Sequence, residues 1–152
     1  MLWIVPIIVF LGFVVGYFIK RYVPEEDKHR KKYFVYLEKG LLLSILGILY
    51  FYYRQSIPEH LLIDLGVLLL GVVVGYLFKE SYLYLGMIMT TIEIYTSMLI
   101  FMYGLVKGNK RIIEKAVYFF IPFLLLLIPS IESYILVFGS GGVLVLLFQK
   151  SY

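Results

Sequence analysis

Residues 2–19 contain no charged side chain, and runs almost as apolar recur along the rest of the chain. Roughly 18 or more consecutive apolar residues are what a helix needs to cross a hydrocarbon core about 30 Å thick. The charged residues gather between these runs, mostly in 20–39 and 107–115, as expected of helices that leave lipid at both ends. Of the 152 residues, 62% are hydrophobic and 16% charged, against about 45–50% and about 25% in soluble domains. A chain this short cannot hide so much apolar surface in a core of its own. The expected fold is all-α: a polytopic integral membrane bundle of about six transmembrane helices. It forms a single transmembrane domain over 1–152, multi-pass in the cell membrane, with no room for a soluble domain.

The spans are expected at about 2–19, 33–53, 58–78, 82–106, 111–128 and 131–148. The first run has no basic residue ahead of it and no small-residue cleavage site behind it, so it reads as a retained span. Pro24, then Glu25, Glu26 and Asp27, then Lys28, Arg30, Lys31 and Lys32 form a helix-start signature. Acids in the first turn meet the positive end of the helix dipole, and Glu26 with Arg30 and Asp27 with Lys31 add pairs one turn apart. The second helix is therefore expected to begin outside the bilayer, as a cytoplasmic extension over about 24–32. Gly108 and Asn109 form a helix stop, and Pro122 lies inside the fifth span. Tyr50, Tyr52, Tyr53, Tyr82 and Tyr84 near predicted span ends suggest an aromatic belt at the interfaces.

Residues 11–20 (LGFVVGYFIK) resemble residues 70–79 (LGVVVGYLFK), with glycines, tyrosine and lysine in register. The match points to a duplicated two-helix hairpin, although the second helices of the two hairpins match poorly and a restricted apolar alphabet produces such matches by coincidence. With the N-terminus outside, the cluster 20–39 and Lys79 fall inside, while Arg54, Lys107, Lys110, Arg111, Lys115 and Lys150 fall outside. That margin is thin under the positive-inside rule, but the densest cluster follows the first span, which favours the N-terminus outside. If both basic clusters are cytoplasmic instead, one apolar segment between them fails to span.

Glu93 lies near the centre of the fourth predicted span, where an acid costs about 2.5–3.5 kcal/mol on insertion scales. Gly86, Thr90, Glu93, Ser97 and Gly104 share one face if that span is a single helix. Two readings stay open. Glu93 is a proton or cation site with Thr90 and Ser97 as auxiliary oxygens, or it is a protonated acid that hydrogen-bonds across helices as glue. Asp64, beside Gly66 in the third span, is a further polar candidate, while Lys39 can snorkel, Glu38 can pair with it or with a basic neighbour, and Glu132 reads as a first-turn acid. Gly12 with Gly16, and Gly71 with Gly75, are Gly-x-x-x-Gly pairs suited to close helix packing. The run Gly139, Ser140, Gly141, Gly142 is a candidate unwound segment exposing carbonyls.

The net charge of +4 sits at the ends of apolar runs and reads as interfacial anchoring, so nucleic acid is not an expected partner. With no cysteine and only His29 and His60 as imidazoles, no metal site or cofactor is expected. Few amides fit a thermophilic source. No phosphate loop, nucleophile elbow or His-Glu-x-x-His pattern occurs, so enzymatic activity is not the leading expectation. The function expected is a transporter or channel module coupled to Glu93. The alternative is a non-catalytic structural or assembly subunit of a larger membrane complex. Either one has the lipid bilayer and further copies or other membrane subunits as partners.

Overall fold

A computed structural model describes residues 4–22, 24–55, 61–91, 93–108, 111–125, 128 and 131–149, with the backbone alone at 24–32, 55, 93–95 and 132. Among the described residues there are seven helices and no strand: α1 (Ile4–Tyr22), α2 (Pro24–Gln55), α3 (Leu61–Leu77), α4 (Ser81–Thr91), α5 (Glu93–Lys107), α6 (Ile112–Leu125) and α7 (Glu132–Phe148). Two stretches, Ile4–Tyr22 and Tyr33–Arg54, are long and apolar enough to cross a membrane. Shorter apolar helices occupy Leu61–Leu77, Thr96–Lys107 and Ser133–Phe148.

Close backbone contacts at glycines fix the direction of each helix. α1 and α5 run parallel, with Gly12 against Phe101 and Gly16 against Gly104 and Leu105. α3 and α7 are parallel in the same manner, with Gly71 against Phe138 and Gly75 against Gly142. A methyl group at any of these four glycines would run into the facing helix, so only a hydrogen there lets the axes come so near. α4 runs antiparallel to α7, with Tyr84 against Gly142 and Met87 against Gly139.

It follows that the C-terminal ends of α1, α3 and α5 and the starts of α4 and α6 lie together, at what is called here the basic end. Lys20 Nζ donates to the Lys107 carbonyl at 2.6 Å, and Lys115 Nζ reaches Glu80 at 2.5 Å across that end. At the opposite end α2 finishes and α3 begins, joined by the Tyr53 hydroxyl, which donates to Asp64 Oδ2 at 2.6 Å.

The stretch 82–106, expected as one span, is two helices that reverse direction about residue 92. α4 leaves the basic end and α5 returns to it, so that Ser81 at the start of one hydrogen-bonds Tyr103 near the end of the other. Eleven residues carry α4 about 16 Å and fifteen carry α5 about 22 Å, both short of the roughly 30 Å of a bilayer core. The register of α5 on α1 sets Glu93 level with the first turn of α1, toward the opposite end. α4 need not be long because it is enclosed: Ser81, Tyr82 and all of 84–90 are buried. A helix apolar on every side belongs in the middle of a bundle, and backbone ends that stop inside protein escape the penalty they would meet in lipid.

The reversal separates residues that a single helix would have aligned. Gly86 packs on Phe119 of α6, whereas Gly104 packs on Phe13 of α1. The polar stripe expected along one face is therefore divided between two neighbours. The unwound segment expected at 139–142 is also absent, since α7 runs as continuous helix through all four residues. Gly139 and Gly142 admit α4 on one side, and Gly141 admits α3 at Leu68 on the other, so small size here serves packing on two faces.

Aromatic rings fill the centre. Phe13 lies 4.6 Å from Tyr82 and 5.9 Å from Phe119, centroid to centroid, and Phe10 lies 5.7 Å from both Phe119 and Phe120. Each such pair adds about 0.5–1.5 kcal/mol beyond burial. Tyr82 and Tyr84 thus belong to the core rather than to an interfacial belt, being 1% and 0% exposed. α5 stops at Lys107, where Gly108 takes a positive φ of 28° directly against the backbone of Gly16.

Candidate functional site

Three polar regions are held by this arrangement. The first is the tip of the α4–α5 hairpin. Glu93 opens α5, and its side chain lies outside the described atoms. Thr90 is buried three residues before it, and its hydroxyl donates to the Met87 carbonyl one turn back at 2.6 Å, with Thr91 Oγ1 at 3.5 Å. Thr96 is fully buried and Ser97 half-buried in the first turns of α5. α4 therefore ends in a hydroxyl-bearing turn and α5 starts with an acid, with a carbonyl end and an amide end meeting at one level of the bundle. The amide end carries partial positive charge and favours a carboxylate there.

The second region is at the basic end, and sequence reading did not assemble it. Lys107 Nζ bonds Glu38 Oε1 at 2.8 Å and the Tyr103 hydroxyl at 2.7 Å, and that hydroxyl also donates to Glu38 at 3.0 Å. Glu38 therefore pairs with a lysine 69 residues away rather than with its neighbour Lys39. Lys115, 7% exposed, joins Glu80 and stands 5.7 Å from the Tyr82 ring and 5.5 Å from the Tyr118 ring. Between the two ion pairs the Tyr82 hydroxyl is buried without a hydrogen-bond partner among the described residues. Lysines expected to reach outward as anchors instead turn inward and tie α5 and α6 to α2 and to the α3–α4 connection.

The third region is at the opposite end. Asp64, in the first turn of α3, lines a cavity to which neither Thr90 nor Ser97 contributes. It joins Tyr53, and the two line a cavity of about 470 Å³ between α2, α3 and α7. Ser140, from the glycine run, also lines it, its hydroxyl donating to the Val137 carbonyl at 2.6 Å. Among the described residues no group of three His, Cys, Asp or Glu gathers to hold a metal ion.

The reversal at residue 92 also redistributes charge. Lys107, Arg111 and Lys115 now share an end with Lys20, Arg21, Lys39 and Lys79, and the first turns of α2 carry Lys28, Arg30, Lys31 and Lys32 at the same end. Among the described Lys and Arg side chains, Arg54 alone is at the opposite end. Compared with protein-family models, with curated proteins and with solved structures, the chain has no match.

Proposed function

We propose that this chain is an integral membrane protein with five crossings and one re-entrant helical hairpin, and that it works as a small transporter or channel module for protons or cations. The membrane reading is supported by which surfaces stay bare. α1 exposes Ile4, Ile7, Ile8, Leu11 and Val15, and α3 exposes Leu62, Leu65, Leu69 and Val73. In water, apolar patches larger than a few hundred Å² rarely persist on a monomer. Of the most apolar windows of the two long stretches, 33% and 17% are buried inside the bundle, the reverse of a soluble core helix. The lopsided charge supports an orientation as well, with the basic end in the cytoplasm and the N-terminus outside.

The observation that carries the transport reading is the hairpin in which the buried helix α4 ends at Thr91 and α5 starts at Glu93. Helices interrupted inside the membrane put a partly positive amide end and a partly negative carbonyl end where an ion can meet both, and such breaks occur where irregular backbone is shielded by protein. Glu93 at the start of α5 supplies the exchangeable proton or the cation ligand, and Thr90 and Ser97 supply neutral oxygens. The test is proton and alkali-cation flux into proteoliposomes. Glu93→Gln is expected to abolish flux while the protein still extracts intact, and unchanged flux would discard the reading.

A second reading, an assembly subunit, is favoured by a different observation. Gly40, Gly47 and Gly66 have open space where a side chain would be, and Ser44 lies exposed between the first two on α2. Small residues facing lipid leave room for another helix. That reading expects Glu93→Gln to be tolerated, and substitutions at Gly40 to reduce association with a second copy or another subunit.

A further inference from the structure

We propose that the cavity at the opposite end binds a lipophilic organic cation, an alkylammonium whose charged head sits at Asp64 and whose chain lies along α3 and α7. The proposal concerns a site apart from the hairpin tip and does not depend on the role given to Glu93.

The shape and lining support it. A volume of about 470 Å³ lies within the range of ligand pockets, about 300–1,000 Å³. Its walls are leucines from three helices, among them Leu49, Leu68 and Leu136. Tyr50, Leu61 and Leu65 at its rim are exposed, so the cavity reaches the molecular surface. Charge decides the class of ligand. Among the described residues of the lining, Asp64 is the one carboxylate, and no lysine or arginine joins it. The Tyr53 hydroxyl donates to Oδ2 of that carboxylate, and among the described residues no cation pairs with it, so its charge is left to attract a cationic guest. Two tyrosine rings, Tyr50 and Tyr53, belong to the same lining, and an ammonium group is attracted both to a carboxylate and to the faces of aromatic rings. A phospholipid headgroup fits less well, because its phosphate would meet Asp64 and no cation among the described residues of the lining. An anionic amphiphile would meet Asp64 unpaired, which low-dielectric surroundings penalise.

The experiment uses the full chain in nanodiscs of phosphatidylglycerol, titrated calorimetrically with octyltrimethylammonium and, separately, with octyl sulfate, against empty nanodiscs. Saturable binding of one octyltrimethylammonium per chain is expected, with none for octyl sulfate. Asp64→Asn keeps an oxygen to accept from Tyr53, so the fold should survive, and it should weaken binding at least tenfold. Glu93→Gln should leave it unchanged, and Leu68→Trp should block it by filling the cavity. Equal binding of the sulfate, or Asp64→Asn binding as tightly as the parent chain, would overturn the proposal. So would competition by phosphatidylethanolamine added to the nanodiscs, which would give the cavity to a lipid headgroup. Should the tryptophan variant fail to fold, the asparagine variant and the sulfate decide alone.

Discussion

At the basic end Lys107 is held by Glu38 and Tyr103, and Lys115 by Glu80; at the opposite end Tyr53 and Asp64 pair beside an apolar cavity. The difference follows from where the hairpin opens. α4 and α5 are both short and both start or finish at the basic end, so several helix ends and polar backbone groups crowd there. Lys20 donates to the Lys107 carbonyl and the Tyr84 hydroxyl to the Phe78 carbonyl, while ion pairs hold Lys107 and Lys115. At the opposite end α2, α3 and α7 stand apart far enough to leave a cavity. One end is built to stay closed and the other has space to receive.

The sharpest way to break this comparison is to ask whether the basic end is a single surface. The chain has no cysteine, so single cysteines report cleanly. Lys79→Cys and Arg111→Cys should both react with an impermeant maleimide from the same side of a sealed vesicle, an all-or-none result. Reaction from opposite sides would mean that 82–106 crosses once, and the hairpin would be lost.

A smaller effect tests the fastening itself. Glu38→Ala abandons Lys107 among partly buried surroundings, and should lower stability by about 2–3 kcal/mol, somewhat under the roughly 3–5 for a fully buried pair because Lys107 is partly exposed. Thermal unfolding in detergent measures it, and adding Lys107→Ala should recover part of the loss. A drop under about 0.5 kcal/mol, as for a surface pair, would show that the contact holds nothing.

The smallest effect compares crowded and open glycines. Gly16→Ala sets a methyl against the Leu105 carbonyl, 2.7 Å away, and should cost about 1–3 kcal/mol as overpacking does. Gly66→Ala, near the opposite end, meets nothing within 4 Å and should gain up to about 1 kcal/mol from helix propensity. Equal effects in the same unfolding assay would mean that α1 and α5 are not in close contact.

Much of the outline was legible in the chain. All-helical character follows from apolar runs with no strand-like alternation, and the stop at Gly108 follows from the glycine itself. The hairpin was not legible from local signals, because 82–106 contains no proline and its apolar residues suit one long helix as well as two short ones. Its trace was global: the near-even split of basic residues that a single crossing demands disappears once the segment turns back. The polar regions were hidden for a different reason. Glu38 and Lys107 are 69 residues apart, and Asp64 and Ser140 line one cavity only because Gly71, Gly75, Gly141 and Gly142 draw α3 and α7 together. Sequence pattern reports the face a residue occupies but not the helix it will meet. The Glu93 side chain is outside what is described, so the acid that drew most notice in the sequence is located by its backbone alone.

The parallel seating of α1 on α5 has a consequence for biosynthesis. α1 emerges from the ribosome before α5, and the surface that covers Gly12 and Gly16 is encoded some 90 positions later. Until α5 has been made and has folded back, this face of α1 is without its partner helix. Truncations that end before α5 should therefore leave an N-terminal helix prone to degradation or to pairing with the wrong neighbour.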